Sequence, residues 1–279
     1  MPNPIADPLV ENLDTDISSP LVHIEATETG VATITIDSPK TKNAFDAEVI
    51  AALREAFETM HGAEGVRIVF LRGAGGIFSA GANLDWMAAA ADLTEADNRD
   101  DAMAMSMMLK TLWDIPALTV ALVEGGAFGG GAGLAAACDI AVATEGTKFS
   151  FSEVRLGILA ATISPYVVRA IGPRHARALF ATGRVFDADY AEKIGLVSEV
   201  VAADKLDEAK TRLAREIMAC APGAVADSKK LVDDVFGREI DHHLMEMTAK
   251  RIAHRRVSDE GREGVDAFLK RRKPSWNGG

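Results

Sequence analysis

Cysteine is nearly absent. Only Cys138 and Cys220 occur in 279 residues, far apart and in no CxxC pair. That excludes a disulfide framework and a structural zinc site, and both read as buried thiols. Long apolar runs are missing as well, and no stretch reaches the roughly 20 residues needed to cross a bilayer. The first 20 residues, MPNPIADPLVENLDTDISSP, lack a basic n-region and an apolar h-region. They read as a flexible acidic tail rather than a targeting signal, and a cytoplasmic location is the resulting expectation. Positive charge is also in deficit: Lys and Arg total 30 against 41 Asp and Glu, a formal net charge of -11. Such a chain repels nucleic acid and anionic membranes. Its one basic run, Lys270 to Lys273, reads as a solvated helix end suited to the helix dipole.

What is present describes a globular α/β protein. Hydrophobic residues make up 48% and charged residues 25%, and the chain is long enough to bury a full core. Residues Leu21 to Asp37 alternate apolar and polar around Gly30, which predicts a β-hairpin. Asp46 can cap a helix whose apolar residues Val49, Ile50, Leu53, Ala56, Phe57 and Met60 recur at helical spacing. Val66 to Gly73 and LTVALVEG read as buried strands, separated by a loop, GAGGIFSAGANLDWM, and a Met-rich helix that Pro116 ends. DIAVATE and LVSEVV predict further strands. KFSFSEVRLGI reads as an irregular connection, SPYVVRAIG and PRHARALFATG as two short helices, and DADYAEKIG as a third. From Ala203 the pattern is helical to about Lys273. The division expected is a core over 21–202 and a helical module over 203–279.

Residues Gly125 to Asp139 read GGAFGGGAGLAAACD, six glycines in nine residues before a helix-forming run. Glycine inside a helix costs about 1 kcal/mol relative to alanine, so the cluster needs a reason. A dinucleotide fingerprint is a weak reading because no three of these glycines stand at i, i+2 and i+5, and a P-loop is weak because Gly-Lys-Ser/Thr is absent. GxSxG is absent, and the six histidines form no metal-ligand spacing. Two readings remain: a tight strand-to-helix turn, or a bare backbone N–H aimed at an oxygen that gains negative charge during a reaction. A second glycine loop, Phe78 to Leu84, follows the preceding strand and could supply a second donor.

FSAGANLDWM and AFGGGAGLAAACDIAVA, followed by FSFSEVRLGI and ALFATGRVFDADYAEKIGLVSEVV, together resemble the enoyl-CoA hydratase/isomerase (crotonase) family from about Leu21 to Trp276. The resemblance implies a repeated β-β-α superhelix with a C-terminal helical module that oligomerises. It also implies an acyl-CoA substrate, with CoA entering as part of that substrate; metal and redox cofactors have no support in the sequence. It implies a homotrimer or a dimer of trimers. Position by position, the oxyanion donors fall on the N–H groups of Ala82 and Gly130, and the acid/base carboxyl on Glu153. The CoA side falls on Ala82, Asn83, Leu84 and Asp85, with Lys42, Ala44 and Ala80 as further contacts and Arg271 reaching CoA phosphates of a neighbouring subunit. Without the resemblance, Glu153 would read as a surface carboxylate paired with Arg155.

The sequence departs from two-glutamate hydratases at Gly133, where the water-activating carboxylate would stand. Glu153 alone, an acid from elsewhere, or a one-base reaction such as double-bond isomerisation are the alternatives. A closer resemblance, carried also by SPYVVRAIG and GREGVDAFLKRRKPSW, is to bacterial methylglutaconyl-CoA and isohexenylglutaconyl-CoA hydratases, which share that glycine. It implies hydration of a branched, carboxylated enoyl thioester from leucine or terpene breakdown. Arg155 and Arg169 are the cations available for a distal carboxylate. The alternatives to hydration are isomerase or other lyase chemistry on the same scaffold, or a non-catalytic CoA-thioester or RNA-binding protein.

Overall fold

The computed structural model describes the backbone of Asn12–Leu13 and residues 19–277. Ten strands form two sheets: β1 (Asn12–Leu13), β2 (Val22–Thr27), β3 (Val31–Ile36), β4 (Ile68–Gly73), β5 (Leu118–Val123), β6 (Gly126–Phe128), β7 (Ile140–Thr144), β8 (Lys148–Ser150), β9 (Phe186–Asp187) and β10 (Glu199–Val201). The larger sheet runs β1-β2-β3-β4-β5-β7-β10 and the smaller β6-β8-β9. Ten α-helices complete the described chain: α1 (Ala47–Gly62), α2 (Leu84–Ala90), α3 (Glu95–Trp113), α4 (Gly130–Ala137), α5 (Ser164–Thr182), α6 (Ala188–Ile194), α7 (Leu206–Met218), α8 (Pro222–Val235), α9 (His242–Val257) and α10 (Asp259–Leu269).

The local rules explain most of these elements. β2 and β3 pair antiparallel, and Gly30, at φ +87°, turns the hairpin. A Cβ there would meet the Gly65 carbonyl oxygen at 2.2 Å, so only glycine fits both the turn and the approach. Asp46 accepts from the Val49 N–H and caps α1, whose six predicted apolar residues are all buried. Burying a Leu53 or Phe57 side chain fully contributes roughly 1.5–3 kcal/mol each. α3 starts earlier than its methionines suggest, because Thr94 and Asp97 form a reciprocal capping box that satisfies donors of the first turn.

The two short helices expected over SPYVVRAIG and PRHARALFATG are both present, as the two arms of α5 on either side of Gly172 (φ 72°, ψ 162°), which precedes Pro173; proline drives its predecessor out of helical geometry. Other sequence expectations are corrected. The loop after β4 contains α2, and the irregular connection contains β8 and a 3-10 turn over Glu153–Leu156. Strands of three residues carry too little periodicity to be seen in sequence. Cys138 is buried, but Cys220 is exposed. Of the expected tail, Asn12–Leu13 pair with Ala26 and Thr27 of β2; residues 1–11 and 14–18 lie outside the described residues.

The chain forms two compact units, Met1–Ile115 with Thr119–Lys210, and Pro116–Leu118 with Thr211–Gly279. In the second, Glu260 accepts from the Gly223 and Ala224 N–H groups at the start of α8 and pairs with Arg255. Trp276 Nε1 donates to the Ala219 carbonyl. Among the described residues, no helix is long and apolar enough to cross a membrane.

Candidate active site

The two glycine loops lie side by side because their backbones pair directly. The Ser79 N–H donates to the Gly126 carbonyl at 3.1 Å, and the Phe128 N–H to the Ser79 carbonyl at 3.0 Å. Gly81, at φ +89°, passes so close that a Cβ would sit 2.7 Å from the Phe128 carbonyl oxygen. A Cβ on Gly131 would meet the Ser79 Cβ, also at 2.7 Å. The glycines thus let two main chains pack without side chains between them.

Two buried polar residues outside the motif-derived site hold this arrangement. Ser79 Oγ donates to the Asn43 carbonyl and accepts from the Gly81 N–H. Asn43, fully buried and at φ +57°, donates through Nδ2 to the carbonyls of Ala74 and Ile77 and accepts at Oδ1 from the Ser38 N–H. Asparagine tolerates the left-handed region better than most residues, and here three bonds to loop backbone fix it. A single asparagine beside Lys42 has no periodic or motif signature, so sequence reading passes over it.

The N–H groups of Ala82 and Gly130 are both left free by the local geometry. Phe45 bridges the Ala82 segment through Gly81 and Asn83, donating to the Gly81 carbonyl and accepting from the Asn83 N–H, so the intervening Ala82 N–H is not consumed. Gly130 opens α4, where first-turn N–H groups have no intrahelical acceptor. Both residues line one cavity of about 240 Å³ with Phe45, Trp86, Met105 and Ile163. A Cβ on Gly130 would stand 2.8 Å from Phe45 Cδ2 and 3.0 Å from Met105 Cε. A side chain there would fill the cavity wall.

Glu153 lines the same cavity. Its Oε1 lies 3.1 Å from where a Gly129 Cβ would be, so the bare turn before α4 makes room for the carboxyl. Pairing of β6 with β8 and the Gly129 N–H bond to the Ser150 carbonyl set that distance. Burial pushes the carboxyl above its ordinary value, opposed by the hydrogen bond from its own backbone N–H. Oε2 is buried without a hydrogen-bond partner. No ion pair joins Glu153 to Arg155 in the described residues, so the surface-pair alternative fails.

The other sequence-predicted residues fall in several places. Asn83 caps α2, accepting from the Asp85 and Trp86 N–H groups; Leu84 is 77% exposed and Asp85 is exposed. Ala44 is buried, and the Ala80 N–H donates to the Lys42 carbonyl. Arg271, at φ +54°, belongs to the second unit. Arg155 and Arg169 do not line the cavity, and neither does any described lysine or arginine. Arg169 instead donates to the Pro165 carbonyl and lies 6.0 Å from the Trp113 ring centroid.

At Gly133 the space is taken. A Cβ there would lie 2.1 Å from Ile163 Cγ2 and 2.6 Å from Ile163 Cβ, so the cavity wall closes where a second carboxylate would enter.

Taken with the sheet order, paired glycine loops beside a half-buried carboxyl define a crotonase-type fold. Residues 26–279 match the enoyl-CoA hydratase/isomerase family model. A Legionella pneumophila structure assigned to the enoyl-CoA hydratase/isomerase (crotonase) class is 43% identical, with TM-score 0.86 over 92% of this chain and 98% of that one. An enoyl-CoA hydratase from Shewanella pealeana is 36% identical, TM-score 0.89, over 92% and 96%. Pseudomonas aeruginosa AtuE is 36% identical, TM-score 0.88, over 92% and 100%. The chain belongs to the enoyl-CoA hydratase/isomerase family.

Proposed function

We propose that the protein hydrates the α,β double bond of an enoyl-CoA thioester, with Ala82 and Gly130 as oxyanion donors and Glu153 as acid/base. The observation that carries this reading is the convergence of two unspent backbone N–H groups and one half-buried carboxyl on a single cavity. The thioester oxygen takes both N–H bonds. Water adds at the β carbon, and the π electrons pass through the α carbon and carbonyl carbon onto that oxygen. The resulting enolate is held by the donors, each worth about 3 kcal/mol in such a hole. Its collapse forms the α C–H bond with the proton from Glu153, and the proton that the attacking water gives up restores the Glu153 acid, so the net change is one water added. CoA enters as part of the substrate, and no other cofactor takes part.

The resemblance to methylglutaconyl-CoA hydratases supports a branched acyl chain, and the predominantly apolar walls suit one. The same resemblance extends to carboxylated chains. A panel of crotonyl-CoA, methylglutaconyl-CoA and isohexenylglutaconyl-CoA tests both features, read as loss of enoyl-thioester absorbance. No loss with any of them sinks the hydratase reading.

One observation favours a second reading. Ile163 fills the Gly133 side of the cavity, which suits a one-carboxyl isomerase. Product analysis in labelled water separates the two: a shifted double bond without solvent oxygen establishes isomerisation.

We further propose assembly into a homotrimer or a dimer of trimers through the C-terminal unit. That unit exposes Phe236, Ile240, Phe268 and Leu269, more large apolar side chains than a free surface favours.

A further inference from the structure

Among the described residues, the cavity that holds Glu153 has one other carboxylate in its walls, Asp101 of α3. Asn98, Asp101, Ala102 and Met105 present one helical face to that cavity, as the i, i+3, i+4, i+7 spacing requires. Asn98 secures this face: its Nδ2 donates to the carbonyls of Ala90, Leu93 and Thr94, tying the first turn of α3 to the end of α2. The neighbouring Asp100 is engaged by Arg99. Asp101 has no described hydrogen-bond or ion-pair partner.

Asp101 also lines a second cavity of about 300 Å³, bounded by Arg54, Glu55 and Glu58 of α1. Trp86 and Asp101 are the two residues common to both cavities. The carboxylate therefore stands between the cavity that holds Glu153 and a neighbouring recess whose wall carries Arg54, Glu55 and Glu58. At Gly133 the wall is closed by Ile163.

We propose that Asp101 is the second catalytic carboxylate of hydration, the general base that activates water for attack on the β carbon. This rests on the hydratase reading above. As the water oxygen bonds to the β carbon, one water proton moves to the Asp101 carboxylate, and the enolate forms at Ala82 and Gly130. Protonated Glu153 then delivers its proton to the α carbon and becomes carboxylate. Proton exchange with solvent returns Asp101 to carboxylate and Glu153 to acid, so the net change is one water added.

The test compares wild type with Asp101→Asn, Asp101→Glu and Glu153→Gln on whichever panel thioester turns over fastest. A second assay follows exchange of the α protons of butyryl-CoA in deuterated water, which needs Glu153 and the oxyanion donors but no attacking water. Asp101→Asn is expected to lower kcat for hydration about 10²–10⁴-fold, the usual range for a lost general base. It should leave KM and α-proton exchange within about threefold, the pattern of a lost transition-state interaction. Asp101→Glu should recover part of the rate, and Glu153→Gln should lose both activities. Hydration by Asp101→Asn within about fivefold of wild type overturns the proposal, because general-base catalysis contributes far more than that. So does an equal loss of exchange and hydration, or a change confined to the preference for carboxylated chains. Wild-type protein that exchanges α protons but hydrates nothing overturns the hydratase reading, and this proposal with it.

Discussion

Gly133 and Ile163 are complementary: a Cβ on the first would stand 2.1 Å from Cγ2 of the second. Gly133→Glu therefore has to displace a side chain that is only 2% exposed. The expected cost is about 1–3 kcal/mol, as for other overpacked cores. Adding Ile163→Gly should recover most of it. Denaturant midpoints of the single and double variants measure this, and equal stability of Gly133→Glu and wild type would show that the wall yields freely.

Glu153→Gln keeps shape and removes the transferable proton. Hydration should fall about 10²–10⁴-fold, the range of a lost general acid or base, while the thermal midpoint stays level or rises. Full activity in this variant excludes Glu153 from the chemistry.

Burial raises the Glu153 carboxyl above its ordinary value of 4.5 in the folded chain. The folded state then holds this proton more tightly than the unfolded state does. Its contribution to stability is complete below the unfolded value and declines as pH rises through the folded one. The stability of wild type minus that of Glu153→Gln should fall with rising pH across that window. Urea titrations of both proteins in parallel read the difference, and a slope of opposite sign would contradict the burial argument.

Proline at position 82 deletes one N–H and no structural bond, since Phe45 uses Gly81 and Asn83. Ala82→Pro should lose about two to three decades in kcat, the usual effect of removing one oxyanion donor. Its melting temperature should stay close to that of wild type. Retained activity would mean that the Ala82 N–H does not meet the substrate oxygen.

Asn43→Ala orphans the Ala74 and Ile77 carbonyls and the Ser38 N–H. These three groups are half-buried, and leaving a fully buried group unpaired costs about 1–3 kcal/mol, so a drop in stability below that full penalty for each group is expected along with lost activity. A melting temperature within a degree or two of wild type would show that water replaces the side chain.

The sequence by itself determined the repeating elements that have strong local periodicity or caps, such as the Gly30 hairpin, α1 behind Asp46 and the parallel strands. Through resemblance it also singled out Glu153, Ala82 and Gly130, because those positions sit in dense motifs. It could not show the three-stranded sheet, whose strands are too short to carry a period. Tertiary structure alone decided what surrounds the motifs. Asn43 and Ser79 hold the loops together through bonds to backbone that is distant in sequence, and Ile163 fills the space beside Gly133. Asp101 faces the same cavity as Glu153 from a different helix. Glycine at 133 signals only a missing side chain; which atoms occupy the vacated space depends on long-range packing, and local sequence patterns do not record it.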